Sequence, residues 1–508
     1  MKNAVKLPDN VDILQQLVLE QQHMIETLKE QLILMKHRQF GPRHETIDVD
    51  QLGLFAGDAG TVIEVIEQEC EAVSEKDQEL TTPVKRQKSL RILKDLPREV
   101  KIIDIPEADK ICGCCGKELH RFGEECSEQL RYVPASLKII ETRRQKYACN
   151  HCHGEIKRAP PDLSVPLQKS MASASLLAFL IVCKFADGLP LYRIANRLSR
   201  LGIELSDSLM SRWLMQCAVL LEELHDRMIN QVLASGHLFT DDTILPMQNH
   251  DPTRHTTHKS RLWVYARSRR RDKPLVYYEF TKDRTQQGPL SRLKDYRGYV
   301  QADAFPGYDR LYASGNIIEV ACMVHARRKF VEVTELMKHK GRAHEALRFI
   351  ARLYRIETQI RPLSDAQRYE QRQQRSIPVL NEFKAWLDVQ VNAVLPKSAM
   401  GNAVHYALKN WDALRRYTEQ GYLEPDNNFA EQCLRPVAVG RKSFLFVGSE
   451  KAGKAAAIYY SLMESCKLNK VNPLTYMTYV LSNVRNKQIT LKLPHEFNVP
   501  VTDVATVE

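Results

Sequence analysis

Three acidic residues, far apart in the chain, have surroundings typical of a divalent-metal site. Asp241 lies inside the apolar stretch 237–245, and Asp303 ends the apolar stretch 298–303. Glu431 lies in a segment with the residue pattern of a helix. A carboxylate inside an apolar strand is costly to bury unless a cation compensates its charge. Hard oxygen ligands select Mg²⁺ or Mn²⁺, and two such ions can assist an in-line phosphoryl displacement. The alternative is that these three residues share no site, because the chain holds 62 acidic residues and any three of them could be chosen.

Two C-x-x-C pairs form a second candidate metal site. Cys112 and Cys115 form the first pair, and Cys149 and Cys152 form the second. Each pair directs two thiolates at one point, and two pairs complete a tetrahedral shell for structural Zn²⁺. Cys114 can take the place of Cys112, and a set of buried free thiols is the alternative to a metal site. The spacing predicts a zinc ribbon whose strands come from apolar residues between the pairs: Val133, Leu137, Ile139, Ile140 and Tyr147.

The elements that must position the three acids are strands. Five apolar, strand-like stretches occur in one region, at 237–245, 262–266, 275–280, 299–302 and 317–322. Helices are predicted at 288–296 and 307–313, so that the helices enter after the third strand. This order is typical of an RNase H-like domain. Residues 336–420 are polar and helical, and residues 425–485 are helical with one strand-like interruption at 443–447.

A helical region precedes these strands. Apolar residues begin one helix near Leu176, and residues 190–198 predict a second, which Gly202 ends. Ser206 can cap a third helix, which carries Ser208 and Arg212 in its first turns. A short turn that contains glycine, followed by a helix with a polar first turn, is the layout of a helix-turn-helix DNA-binding motif. Ordinary core helices are the alternative.

The first hundred residues contain a heptad pattern and a charged linker. The apolar seam repeats at alternating spacings of four and three, and consists of Val11, Leu14, Val18, Ile25, Leu28, Leu32 and Met35. Such a stripe favours a coiled coil with a second copy; a helix that packs on its own chain is the alternative. Residues 44–95 carry an acidic block and then a basic block, which predicts a solvated linker.

Composition limits the classes of protein. Of 508 residues, 44% are hydrophobic and 27% are charged, which excludes a mainly disordered or collagen-like chain. The net charge of +11 permits a polyanionic partner. Twelve cysteines are too few for a disulfide-stapled scaffold. The longest apolar run spans 176–183, too short to cross a membrane, so we expect a protein of a reducing compartment with no membrane partner.

Short sequence motifs along most of the chain resemble those of a known protein family. Besides the two cysteine pairs, they are FGPRHE at 40–45, LPRE at 96–99, DGLPLYR at 187–193, TDDT at 240–243, GYVQAD at 298–303, HARRKF at 325–330, DNNFAE at 426–431, LRP at 434–436 and GRKS at 440–443. In these motifs and their order the chain resembles the transposases of the IS66 family of bacterial insertion sequences. The resemblance implies a DDE transposase whose catalytic acids are Asp241, Asp303 and Glu431. The family often has Glu where this chain has Asp242 and Arg where it has Gln432, so Asp242 remains an alternative first ligand.

The resemblance also implies partners. A transposase binds the ends of its element and a target DNA, uses a pair of Mg²⁺ or Mn²⁺ ions, and acts in the bacterial cytoplasm. Pairing two ends implies at least a dimer, and elements of this kind encode accessory proteins. We expect DNA contacts from basic and polar side chains near the acids and in the helix-turn-helix region; solvated basic faces are the alternative. These residues are Ser208, Arg212, Arg327, Arg328, Arg441 and Lys442.

The predicted fold class is a multidomain α+β protein with an RNase H-like mixed-sheet catalytic core and a helical insertion. The predicted segments are a coiled-coil helix at 1–43, a linker at 44–95, a zinc ribbon at 96–165, a helix-turn-helix region at 166–230, the catalytic core at 231–335 and 421–448 around an insertion at 336–420, and a C-terminal helical domain with its tail at 449–508. The predicted function is Mg-dependent DNA cleavage and strand transfer. A nuclease that does not join DNA and a catalytically silent DNA-binding regulator are the alternatives.

Overall fold

The computed structural model describes residues 137–148, 156–249, 256–285, 287–336 and 341–498. The predicted heptads, the linker and the four candidate zinc ligands lie outside these residues. The chain divides into two compact units. The larger unit contains residues 163–194 and the described residues from 206 to 498. The smaller unit contains residues 137–148, 156–162 and 195–205.

The smaller unit contains a two-stranded antiparallel hairpin. Its strands are β1 (Lys146–Ala148) and β2 (Ile156–Arg158), with Lys146 opposite Arg158. The predicted strand residue Tyr147 lies in β1. The prediction was wrong for Leu137, Ile139 and Ile140, which precede the hairpin in non-strand backbone and are exposed. A strand needs a ladder partner for its backbone groups, and the ladder on β1 covers three residues.

A five-stranded mixed sheet organises the larger unit. Its spatial order is β7-β6-β3-β8-β9, with antiparallel pairing from β7 to β3 and parallel pairing from β3 to β9. A separate small hairpin joins β4 to β5. The strands are β3 (His237–Ile244), β4 (Met247–Gln248), β5 (Thr257–His258), β6 (Arg261–Arg267), β7 (Val276–Thr281), β8 (Gly298–Ala302) and β9 (Ile317–Ala321). All five predicted strands are confirmed, with ends within one residue of the prediction.

Helices surround this sheet and extend beyond it. They are α1 (Ala174–Phe185), α2 (Leu191–Ser199), α3 (Asp207–Leu220), α4 (Glu222–Leu233), α5 (Gln287–Leu293), α6 (Asp309–Tyr312), α7 (Met323–Leu336), α8 (Arg342–Ile360), α9 (Asp365–Gln371), α10 (Ile377–Ala393), α11 (Ala399–Lys409), α12 (Trp411–Arg415), α13 (Asn428–Phe444), α14 (Glu450–Leu468) and α15 (Pro473–Asn483). One π-helical turn, Arg372–Ser376, joins α9 to α10. Part of α2 belongs to the smaller unit.

Local sequence explains where the helices before the sheet begin and end. Ser206 caps α3, and its hydroxyl accepts a hydrogen bond from the backbone N–H of Leu209 at 3.3 Å. Gly202 lies between α2 and α3 with φ of +84°, a conformation that glycine adopts at little cost. The predicted cap and break are therefore confirmed, while their use as a helix-turn-helix motif stays a prediction.

Two serines of α14 accept hydrogen bonds from the backbone of β7, the strand at one edge of the sheet. The backbone N–H groups of Val276 and Tyr278, alternate residues of β7, donate to Ser465 Oγ at 3.1 Å and Ser461 Oγ at 2.8 Å. An edge strand otherwise presents unpaired donors to other chains. The helix that follows the predicted core in sequence therefore covers and closes that edge.

The helices of 341–420 build their own core. Together with α7 they bury a cluster of apolar side chains that includes Phe330, Leu353, Phe383 and Tyr417. The aromatic rings of Phe349 and Phe383 stack with centroids 5.3 Å apart. These contacts hold the inserted helices beside β9 and α7, next to the carboxyl end of the parallel strands.

The predicted strand-like interruption at 443–447 is wrong. Helix α13 continues through Phe444, and Leu445, with φ of +65°, donates its N–H to the carbonyl oxygen of Arg441 at 2.7 Å. Val447 then makes an isolated bridge to Met247. Val447 donates its N–H to the carbonyl oxygen of Pro246 and accepts the N–H of Gln248, each at 2.8 Å, so strand pairing here is limited to one residue.

Within the described ranges, no helix is both long and apolar enough to span a lipid bilayer.

Candidate active site

Two neighbouring strands and one helix carry the three predicted acids, but their ligand atoms do not all lie within 4.8 Å of one another; among the described residues the group that meets this limit is Cys322, His325 and Glu431. Asp241 lies on β3, and the parallel pairing sets Phe239 opposite Gln301 of β8. Asp241 follows two residues after Phe239, and Asp303 follows two residues after Gln301, just beyond β8. Glu431 lies in the first turn of α13, which packs on β3.

The loop before α13 is pinned to the sheet by hydrogen bonds. Asn427 Nδ2 donates to the carbonyl oxygen of Thr240 at 3.0 Å, and Gln301 Nε2 donates to that of Asp426 at 2.8 Å. The backbone N–H of Asn427 donates to Cys322 Sγ at 3.2 Å. These bonds tie the helix start to β3, β8 and the end of β9, so the position of Glu431 is fixed by its surroundings.

The three carboxyl groups influence one another's protonation. Burial raises the pKa of Asp241 well above its ordinary value, and the charges of Asp303 and Glu431 raise it further. Burial also raises the pKa of Asp303, against the opposing effect of Arg284, and the pKa of Glu431, against that of Arg328. The side chains of Asp303 and Glu431 remain 25% and 17% exposed. This is a partly open cluster of carboxylates that lacks a full set of counter-charges.

Asp242, adjacent to Asp241, has a different environment. Arg261 Nη1 lies 2.9 Å from Asp242 Oδ2, and Arg284 Nη2 lies 2.8 Å from Oδ1. Both carboxylate oxygens are thus paired, and the side chain is 2% exposed. The described residues place no basic side chain in an ion pair with Asp241, whose Oδ1 accepts the backbone N–H of Asp242 at 2.7 Å. Asp241 is therefore the more available metal ligand of the two.

Arg284 connects the two sides of the cluster. Besides pairing with Asp242, its Nη2 lies 3.7 Å from Asp303 Oδ2, and its guanidinium stacks on the ring of Phe305 at 4.0 Å. Sequence reasoning missed both arginines. The strand register held a signal for Arg261, because it is a diagonal cross-strand neighbour of Asp242 on the same face of the sheet.

Cys322 and His325 extend the site beyond the three acids. His325 Nε2 lies 3.9 Å from Glu431 Oε1, and one ligand atom each from Cys322, His325 and Glu431 lie within 4.8 Å of one another. Burial, with Arg328 and Lys329, lowers the pKa of His325 to about 4. Sequence reasoning missed this pair, although its C-x-x-H spacing was a signal.

The predicted DNA-contacting residues have diverse environments. Ser208 and Arg212 are exposed and four residues apart on α3, hence on one face. Lys442 is exposed, Arg328 is half-buried beside Glu431, and Arg441 Nη1 donates to Thr243 Oγ1 at 3.2 Å and to the carbonyl oxygen of Ile244. Arg327 is 4% exposed, so the structure places it in the interior and not on a surface that a phosphate could reach.

Comparison with known families identifies the chain. The family model described as "Transposase IS66 family" matches residues 169–455, more than half of the 508 residues. The chain belongs to the IS66 transposase family. A model described as "zinc-finger binding domain of transposase IS66" matches 109–153, and one described as "Transposase C of IS166 homeodomain" matches 27–100. These matches confirm the resemblance, support a DNA-binding transposase, and support structural zinc in a segment that includes all four predicted cysteine ligands.

Proteins of Sinorhizobium fredii resemble the chain over most of its length. The uncharacterized protein y4jD is 32% identical over 502 residues, which cover 96% of this chain and 95% of that protein. The uncharacterized proteins y4qI and y4hP are 32% and 30% identical and cover 76% and 78% of this chain, and 72% and 74% of their own lengths. The similarity to y4jD therefore extends over nearly the whole of both chains.

Proposed function

We propose that this IS66-family protein is a DDE transposase that binds the ends of an insertion sequence and catalyses Mg-dependent DNA cleavage and strand transfer. The observation that carries the proposal is the placement of Asp241 on β3, Asp303 after the neighbouring strand β8, and Glu431 in the first turn of α13, which packs on β3. The charges of Asp303 and Glu431 both raise the pKa of Asp241. The sheet order β7-β6-β3-β8-β9 supports an RNase H-like core, with the cluster at the carboxyl end of its parallel strands.

The donor set suits Mg²⁺ or Mn²⁺. Asp241, Asp303 and Glu431 offer hard oxygen ligands, and Glu431 Oε1 is buried without a hydrogen-bond partner among the described residues. A bound metal pair would supply activation of the attacking oxygen and charge stabilisation at the leaving oxygen. The ion pairs from Asp242 to the two arginines hold β3 so that Asp241 faces the cluster.

The reaction has two displacement steps at phosphorus. Water attacks the phosphodiester at the element end, the P–O3′ bond breaks, and a free 3′-hydroxyl remains. That hydroxyl then attacks a target phosphodiester, forms a new P–O bond and releases a target 3′-oxygen. The three carboxylates would hold the cations that bind the phosphate, Arg284 would add a positive charge beside it, and no covalent bond to the protein forms.

DNA binding is assigned to exposed polar and basic side chains. We infer end recognition by Ser208 and Arg212 on α3 and phosphate contacts by Arg328 and Lys442. The heptads at 11–35 would supply a dimer that pairs two ends, and the element's accessory proteins would act with it in the bacterial cytoplasm. Reversing the charge with Arg212→Glu should abolish end-specific binding, while Lys397→Glu, a change at an exposed residue in the turn between α10 and α11, should leave it intact. Unchanged end binding by the Arg212→Glu protein would contradict the assignment.

The decisive experiment measures joining of labelled end DNA to a target plasmid in Mg²⁺ and in EDTA. Asp303→Ala should abolish both cleavage and joining. Asp309→Ala, a matched change at an exposed aspartate six residues away, should retain them. Retained joining by the Asp303→Ala protein would refute the proposal. Cleavage without joining by the wild type would favour a nuclease, and Mg-independent end binding without cleavage would favour a regulator.

A further inference from the structure

A compact cluster of sulfur, nitrogen and oxygen donors lies beside the three acids. Cys322 follows β9, His325 lies in the first turn of α7, and Glu431 lies in the first turn of α13. One ligand atom from each residue lies within 4.8 Å of the others. Two chain segments thus converge on one point, and the three residues offer three different types of metal ligand.

Two atoms of the cluster lack the partners that buried polar atoms normally have. Glu431 Oε1 and His325 Nδ1 are buried without hydrogen bonds to any of the described residues. His325 Nε2 and Glu431 Oε1 are 3.9 Å apart, beyond hydrogen-bond length, so they do not satisfy each other directly. Two ligands held at roughly 2.0–2.2 Å by one tetrahedral ion lie about 3.4 Å apart, so a shared ion would bring these two atoms about 0.5 Å closer.

The sulfur of Cys322 has a hydrogen-bond donor and a raised pKa. Cys322 Sγ accepts the backbone N–H of Asn427 at 3.2 Å, whereas burial and the charges of Glu431 and Asp426 raise the pKa of the thiol, so metal binding would release its proton. Hydrogen bonds from N–H groups stabilise a thiolate and tune metal–thiolate bonds. Cys322 itself is fully buried, while the side chains of His325 and Glu431 are 22% and 17% exposed, which leaves a path for an ion from solvent.

We propose that Cys322 Sγ, the His325 imidazole and the Glu431 carboxylate bind one transition-metal ion of the Zn²⁺ class. A thiolate and an imidazole select such an ion against Mg²⁺, and Zn²⁺ accepts all three donor types. Three protein ligands leave the fourth tetrahedral position open to solvent. This site is distinct from the zinc-finger segment at 109–153.

The site has a regulatory consequence, which rests on the proposed function. Glu431 is a member of both sites, so a Zn²⁺ ion bound to Cys322 and His325 withdraws it from the Mg²⁺ pair. Zn²⁺ therefore inhibits strand transfer in competition with Mg²⁺, and loss of the thiol relieves the inhibition. Metal binding itself does not depend on catalysis.

The first test measures zinc bound per chain in the full-length protein by elemental analysis after dialysis against Zn²⁺. Cys322→Ser and His325→Asn should each bind one zinc ion fewer than the wild type. Cys433→Ser, a change at another buried thiol on α13, should bind as much as the wild type. Thermal melting checks that each variant is folded. Equal zinc content in the wild type and in a folded Cys322→Ser protein would overturn the proposal.

Cobalt provides a second readout that does not depend on activity. The Co²⁺-loaded wild type should show more thiolate-to-cobalt charge-transfer absorbance than the Cys322→Ser protein, and Cys433→Ser should match the wild type. Identical spectra for wild type and Cys322→Ser would contradict thiolate ligation.

The activity assay separates the two proposals. The Zn²⁺ concentration that halves strand transfer should rise at least about tenfold in Cys322→Ser, as expected when one ligand is lost. An unchanged concentration would overturn the inhibitory role. Expected zinc contents together with no strand transfer by the wild type would refute the proposed function and support the metal site.

Discussion

Asp241→Asn should remove catalysis and at the same time stabilise the metal-free protein. The substitution keeps the shape of the side chain and removes its charge from a buried cluster with Asp303 and Glu431. We expect strand transfer to fall at least about 10³-fold, which corresponds to about 4 kcal/mol of lost transition-state stabilisation. In EDTA at pH 8 the variant should unfold at a higher urea concentration than the wild type.

The size and pH dependence of the stabilisation follow from the direction of the pKa shift. Burial raises the pKa of Asp241 in the folded chain above its value in the unfolded chain. The wild type therefore loses stability as pH rises through the folded pKa, and the Asn variant does not. One pKa unit corresponds to about 1.4 kcal/mol, and roughly three units separate an ordinary aspartate from pH 7, so the gain at pH 7 is at most about 4 kcal/mol. The gain should vanish near pH 4.

The assay is urea unfolding at pH 4, 6 and 8 in EDTA, repeated at pH 8 with Mg²⁺. Mg²⁺ should stabilise the wild type and leave the Asn variant unchanged, because ligands that bind the folded state raise its stability. The Asp309→Asn protein, changed at an exposed aspartate, is the control and should follow the wild type throughout. A lower stability of the Asp241→Asn protein at pH 8 in EDTA would refute the reasoning about the cluster.

Three further substitutions test neighbouring features by urea unfolding. Asp242→Asn should destabilise the protein by about 1–3 kcal/mol, the opposite sign to Asp241→Asn, because two arginines lose their partner; a stabilised variant would contradict the ion pairs. Glu357→Gln should lower the free energy of unfolding by about 3–5 kcal/mol, because the fully buried Arg372 would lose the carboxylate that lies 2.7 Å from its Nη2. A loss below about 1 kcal/mol would argue that solvent reaches this pair. Gly298→Ala should lower the free energy of unfolding by at least about 2 kcal/mol, because φ is +139° and a Cβ would lie 2.5 Å from the carbonyl oxygen of Gly236. A variant as stable as the wild type would show that the backbone there can shift.

The apolar stretches allowed the sheet to be predicted because its strands are buried on both faces. Trp263, Val264 and Tyr265 of β6 are all fully buried in succession, so a continuous apolar run, and not an alternation, marks the strand. The breaks between strands coincide with charged or glycine-containing turns. Strand ends were therefore predictable to within one residue.

The segments that were predicted incorrectly lacked this constraint. At 443–447 the apolar residues Phe444, Leu445, Phe446 and Val447 follow one another, but helix α13 continues through Phe444, and the strand pairing that follows is one isolated bridge from Val447 to Met247. Leu445 and Phe446 remain exposed. A short apolar run therefore cannot separate a strand from the last turn of a buried helix, because both satisfy their backbone groups and only tertiary packing decides.

The residues around the acids illustrate a second limit. In the sequence Asp241 and Asp242 are adjacent and look equivalent. Nothing in the local pattern shows which of the two carboxylates is free to bind a metal ion. The structure separates them through side chains distant in sequence: Arg261 from β6 and Arg284 after β7 both neutralise Asp242. In a strand, adjacent side chains point to opposite faces, so arginines on one face can satisfy one aspartate and leave the other to face Asp303 and Glu431. The identity of a metal ligand is thus determined by which neighbour takes the arginines, and that depends on strand register.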